Sequence, residues 1–82
     1  MEINVNISKF VLPLLITYNT NLKSAPNNMD LKLWRYYLED MIFAFELKIK
    51  EGVFPEIRKK EDDIRYLRGL HLFAKYFDYL WI

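Results

Sequence analysis

Residues 31–49 read LKLWRYYLEDMIFAFELKI, the longest and most regularly patterned stretch in the chain. At about 100° of rotation per residue, Trp34, Leu38, Met41 and Phe45 fall on one line of a helix. Leu31, Ile42 and Ile49 widen that line into a broad apolar face. Lys32, Arg35, Glu39, Glu46 and Lys50 form the opposite, solvated stripe. A second apolar line, Tyr36, Phe43 and Leu47, runs beside that stripe. An outer helix usually carries one apolar face. This one carries nearly two, so it either lies between two neighbours or presents aromatic surface to a partner. Asp30 is placed to cap its N-terminus, and Met29 with Trp34 has the spacing of a hydrophobic staple. Gly52, preceded by Lys48 and Lys50, is the predicted left-handed closure of the helix.

Working outward, Phe10, Val11, Leu14, Leu15 and Tyr18 also fall at helical spacing. They predict a first helix over about Ser8 to Asn19, with Ser8 as N-cap and a kink near Pro13. Residues 1–7 alternate and read as an extended lead-in or a first helical turn. Residues 19–29 (NTNLKSAPNNM) are a loop. Val53, Phe54 and Pro55 form a second break, with Phe54 held extended by the proline after it. The charges of residues 56–63 (EIRKKEDD) read as a solvated helix start. Arg58, Lys59 and Lys60 are the alternative there, a phosphate-binding patch weakened by Glu61, Asp62 and Asp63.

A last helix is predicted over about Lys60 to Leu80. Tyr66, Leu70, Phe73, Phe77 and Leu80 make its seam, widened by Ala74 and Trp81. Leu72, Tyr76 and Tyr79 form a second, outward line flanked by Arg65, Arg68 and Lys75. Gly69 sits mid-helix, where glycine costs roughly 1 kcal/mol against alanine. Close approach of another backbone would explain it. The fold class is therefore all-α: one domain over residues 1–82, a small bundle of three helices. The central and C-terminal helices are expected antiparallel across the turn from Gly52 to Pro55.

Composition narrows the function. A chain of 82 residues buries only about 60–65 % of the surface it exposes unfolded. With no cysteine, neither a disulfide nor a thiolate metal site helps. An aromatic content of 17 % offsets this, and some of those rings are expected at an interface, a homo-oligomer being one way to cover them. The net charge of +1 gives no global attraction to nucleic acid or anionic lipid. No apolar run reaches the roughly 18 residues of a membrane span. No basic region precedes the apolar run from Phe10 to Ile16, which argues against a signal peptide.

The candidate chemistry is sparse. His71, the single histidine, shares a helix side with Lys75 and Asp78 and reads as a surface residue. Asp40 and Glu46 stand about 120° apart around their helix, so they do not converge as paired acids. No glycine-rich phosphate loop and no nucleophile–base pair is visible. The chain reads as a non-enzyme without cofactor or metal. The candidate interaction surface is Arg65, Arg68, Leu72, Tyr76 and Tyr79, with Tyr36, Phe43 and Leu47 on the central helix. Arginine and tyrosine are enriched in protein–protein hot spots, and aromatics beside arginines also stack bases. The alternative is that Leu72 and Tyr76 pack on the first helix.

The segments LWRYYLEDMIFAFE (33–46) and IRYLRGLHLFAKYFDYLW (64–81) resemble a family of small phage-encoded proteins. The first block matches through Trp34, Leu38, Asp40, Met41, Ile42, Ala44, Phe45 and Glu46. The second matches through Gly69, Leu70, Leu72, Phe73, Lys75, Tyr76, Phe77, Leu80 and Trp81. The upstream FVLPLL, with Pro13, is similar to the family's proline-containing first helix. The likeness covers about half the chain; this chain has a shorter N-terminus and a shorter link between the blocks than the longer members. It implies a phage origin and the cytoplasm of a bacterial host, and it carries no reaction with it.

Patterned aromatic surface without a catalytic constellation leads to one expectation. The chain is a small phage-encoded protein-interaction module, blocking or modulating a host defence or housekeeping protein. The alternatives are a self-assembling accessory protein and a ligand or nucleic-acid binder using Arg65, Arg68 and the nearby tyrosines.

Overall fold

A computed structural model of the chain describes residues 4–80. Every long element in it is helical, and no strand occurs among the described residues. Helix α1 spans Val5–Thr20, α2 Leu31–Val53, α3 Lys60–Lys75 and α4 Phe77–Leu80, with a 3-10 turn at Pro26–Asn28. The fold is thus all-α, with three long helices and a one-turn helix appended.

Helix α2 is the axis of the bundle. Its 23 residues amount to about 35 Å of helix, close to the 39 Å length of the whole molecule. The Asp30 carboxylate accepts the Lys32 N–H at 2.8 Å and caps its start. Both neighbours run against it. Tyr18 of α1 meets Trp34 edge-on at 6.3 Å, while Val5 lies beside Gly52. On the other side Tyr76 meets Trp34, Arg65 meets Phe43, and Arg58 meets Glu51. Contacts therefore pair residues in opposite chain order, and both neighbours meet α2 at Trp34 of its first apolar line. The core gathers Val11 and Leu15 from α1, Trp34, Leu38, Met41, Ala44, Phe45 and Leu47 from α2, and Tyr66, Leu70, Tyr76 and Leu80 from the C-terminal part.

Several sequence expectations need correction. Asn4, not Ser8, caps α1: its side-chain oxygen accepts the Asn6 N–H at 2.7 Å. Ser8 lies inside the helix, fully buried, and donates its hydroxyl to the Asn4 carbonyl at 3.1 Å. Of the alternation at residues 1–7, residues 5–7 belong to the helix and residues 1–3 lie outside the described chain. Helix α1 then runs through Pro13, which is exposed, so solvent can reach the carbonyl that the missing N–H leaves without a donor.

Gly52 does not close α2. It has no positive φ and lies within the helix, which ends at Val53. The stop comes instead from Pro55, which keeps Phe54 out of helical geometry (φ −127°, ψ 84°). The Phe54 N–H still donates to the Lys50 carbonyl at 2.8 Å. Val53 continues the helix rather than breaking it.

The last helix is not continuous. It stops at Tyr76 (φ −108°, ψ 17°) and resumes as α4 after one residue. Tyr76, whose N–H still donates to the Leu72 carbonyl at 3.0 Å, and Leu80 lie in the core, while Phe77, just past the break, is left 47 % exposed. Ala74 is exposed as well, and Trp81 lies outside the described residues. The Tyr76 ring fills the space beside Trp34 (5.2 Å) and Tyr37 (6.0 Å, stacked). Aromatic contact of this kind is worth about 0.5–1.5 kcal/mol beyond area burial.

Candidate functional site

The arginine–tyrosine line does not form one open surface. Asp40 is only 2 % exposed, and two arginines reach it from α3. Arg65 Nε donates to Asp40 Oδ1 at 2.8 Å. Arg68 Nε lies 2.9 Å from Oδ2, an ion pair whose angle falls short of a hydrogen bond. Arg65 also covers the Phe43 ring at 4.2 Å. Both guanidinium groups are thus committed to a buried carboxylate, an arrangement that ties α3 to α2. Sequence reasoning set Asp40 aside as a candidate acid and missed this role, because its partners lie 25 and 28 residues further on.

The remaining predicted surface residues divide. Tyr76 and Leu47 are buried core. Leu72 and Tyr79 are half-buried against that core. Tyr79 also offers its backbone carbonyl to the Tyr18 hydroxyl at 3.4 Å, and its ring lies 6.1 Å from that of Tyr76. The outward line is therefore largely packing: Tyr76 meets Trp34 and Tyr37 of α2, and Tyr79 meets Tyr18 of the first helix. Tyr36 remains exposed. Phe43 and Arg65 share a shallow depression with Glu39, Ile42 and Glu46, one positive and two negative side chains. His71 is exposed. Among the described residues, no group of three or more His, Asp or Glu side chains gathers to hold a metal, and no helix is long and apolar enough to cross a membrane.

Two apolar features stand on the surface instead. The first is the corner between α2 and α3. Val53, Phe54, Pro55, Glu56 and Ile57 line an open depression of about 670 Å³. Val53 is 68 % and Phe54 62 % exposed, and Ile57 is exposed beside them. The Ile57 N–H donates to the Phe54 carbonyl at 3.2 Å, which folds the segment into a turn.

Arg58 pins this corner. Its Nε donates to Glu51 Oε1 at 2.9 Å, its Nη2 reaches the same oxygen, and its Nη1 donates to Asp63 Oδ1 at 3.0 Å. Its guanidinium carbon lies 4.0 Å over the Tyr66 ring. Burial by itself lowers the affinity of Arg58 for its proton; the hydrogen bonds to Glu51 and Asp63 outweigh burial and raise it above its ordinary value. Arg58 is thus an internal clamp rather than part of a phosphate patch with Lys59 and Lys60. The Asp62 carboxylate accepts the Lys59 N–H at 3.2 Å, so the acidic residues serve the start of α3.

The second feature is a groove of about 380 Å³ between α1 and the C-terminal helices, lined by Ile7, Phe10, Val11, Leu14, Phe73 and Phe77. No polar residue lines it. Phe10 stands 73 % exposed at its edge. A signal for both features is present in the sequence. Four of the five residues 53–57 are apolar, and α1 carries a single charge, Lys9, in 16 residues. Set against protein-family models, curated proteins and solved structures, the chain matches none of them.

Proposed function

We propose that this chain is a small helical protein-interaction module that binds a host or phage protein and blocks or modulates it. The observation that supports the reading is the α2–α3 corner. Val53, Phe54 and Ile57 are exposed in a turn held by Arg58 with Glu51 and Asp63. The exposed part of an apolar side chain contributes nothing to folding, and contiguous exposed patches mark interaction sites. A turn fixed before binding loses less conformational entropy on association than a mobile one. Phe54 is the anchor, a rigid aromatic with two rotatable bonds at the tip of the corner. The resemblance to phage-encoded proteins suggests where the partner is found, in a bacterial host cytoplasm. The arginine–tyrosine surface has a lesser part, because Arg65 and Arg68 are engaged by Asp40.

The test is retention of a partner from infected-host lysate on immobilised protein, compared with Phe54→Ser. The expected result is one stoichiometric partner held by the wild type and lost from the variant, with helicity unchanged. A partner retained equally by both, or none retained by a folded wild type, overturns the reading.

A further inference from the structure

The outer face of α1 carries more apolar surface than its place in the fold explains. Helix α2 covers the side bearing Ser8, Val11 and Leu15. Besides α2, α1 meets the C-terminal helices along the groove and at Tyr79, and a helix apolar on further sides is normally covered there too. Yet Ile7, Phe10 and Leu14, spaced three and four apart, stand 55, 73 and 40 % exposed. That is the spacing of a helix-packing seam.

We propose that this face is the seam of a homodimer, with Phe10 of each copy seated in the other copy's groove. Three observations favour a second copy as the occupant. First, the ridge forms one wall of the groove, with Phe10 at its outer edge, so a twofold axis parallel to the helices brings each ridge onto the opposite groove. This is the self-complementarity an isologous contact requires. The Phe73 and Phe77 rings, 5.6 Å apart and edge-to-face, form the receiving wall.

Second, the rims match. Lys9 lies about 100° around α1 from Phe10, away from the groove; Asp78 follows Phe77 beyond the opposite wall, and both are exposed. The same twofold axis turns the Lys9 rim of one copy toward the Asp78 rim of the other, unlike charges across the contact. Third, the area is adequate. At about 200 Å² per fully exposed large side chain, Ile7, Phe10, Leu14 and Phe77 leave about 400 Å² of apolar surface per copy. Two copies with their polar rims reach about 1,200 Å², the lower end of specific interfaces. The dimer is therefore a weak one that forms with rising concentration.

Sedimentation equilibrium from micromolar to sub-millimolar protein tests this. The expected mass moves from 10.0 kDa toward twice that value. Phe10→Lys, at a position exposed in the single chain, keeps its helicity and loses association by about tenfold or more. Asp78→Lys weakens the dimer, and adding Lys9→Glu restores it. A wild type that stays at 10.0 kDa throughout, or a Phe10→Lys variant that associates like the wild type, overturns the proposal. A double variant no tighter than Asp78→Lys overturns the twofold placement. Phe54→Ser, at the α2–α3 corner, leaves the dimer intact, so loss of the partner-binding function and loss of the dimer are read separately.

Discussion

Gly69 of α3 lies against the backbone of Asp40 in α2: a Cβ built on the glycine would stand 2.2 Å from the Asp40 carbonyl oxygen and 2.9 Å from the Ala44 Cβ. Both obstacles belong to a buried stretch of helix, where neither can swing aside as a long side chain can. The helices cross at this glycine because no other residue lets them approach so closely.

Gly69→Ala is therefore expected to destabilise. On an open helix the change gains up to about 1 kcal/mol. Here overpacking of about 1–3 kcal/mol or more opposes it. The net loss is about 2 kcal/mol, a fall on the order of 10 °C in thermal midpoint for a domain of this size. A circular dichroism melt showing an unchanged or higher midpoint would contradict the close crossing.

Asp40 and its two arginines are unequal partners, because the carboxylate is buried and both guanidinium groups are nearly half exposed. Removing the carboxylate charge by Asp40→Asn lets Arg65 and Arg68 turn to water, so the cost is about 1–2 kcal/mol. Removing both arginines by Arg65→Met with Arg68→Met leaves a buried charge without a partner, at a cost of about 3–5 kcal/mol. Urea unfolding at neutral pH should rank the double variant well below Asp40→Asn. The reverse order would mean that the arginines pack without neutralising the acid.

How much of this was legible in the sequence follows from how local each signal is. The Asp30 cap, the start of α3 at Lys60 and the exposure of His71 rest on neighbouring residues, and the structure agrees with each. Gly69 was legible because an unexplained helical glycine needs a close contact. Asp40 was not, since its pairing depends on the register of α2 against α3. The break at Tyr76 lacks any local mark: no glycine or proline lies near it, and what Tyr76 packs on is a pair of rings from α2. Tyr76 and Phe77 exchange places there, and the candidate surface built on Tyr76 is lost with the exchange.

Arg58 should govern the order of the corner more than the stability of the whole. Arg58→Met loses charge-assisted hydrogen bonds to Glu51 and Asp63, about 1.5–3 kcal/mol for a buried group and less here, because Asp63 is half exposed. Amide exchange at Phe54 and Ile57 is expected to accelerate more than exchange at Leu38 or Met41. The sign with pH is also set. A folded-state affinity for the proton above the unfolded one stabilises fully at low pH and is lost only as pH rises through the raised value. For an arginine that lies beyond the working range, so its contribution stays level across neutral and moderately alkaline pH. Uniform exchange across the chain in Arg58→Met would show that the arginine supports the bundle and not the corner.

Tyr76 and Phe77 are adjacent in the chain and opposite in their burial, which allows a direct test of the helix break. Tyr76 is buried among Trp34, Tyr37 and Tyr79. Its truncation to alanine removes a ring from a filled space and is expected to cost about 3–5 kcal/mol, as for other buried aromatics. That is a large part of the stability of an 82-residue chain. Phe77 keeps its edge-to-face contact with Phe73 but has nearly half its surface in solvent. Phe77→Ala is expected to cost about 1 kcal/mol or less in dilute protein, where the single chain prevails. An uninterrupted helix on the original seam predicts the opposite order, with Phe77 in the core and Tyr76 outside. Thermal melts of the two single variants at low micromolar concentration decide between these arrangements, and a lower midpoint for Phe77→Ala than for Tyr76→Ala would restore the unbroken helix.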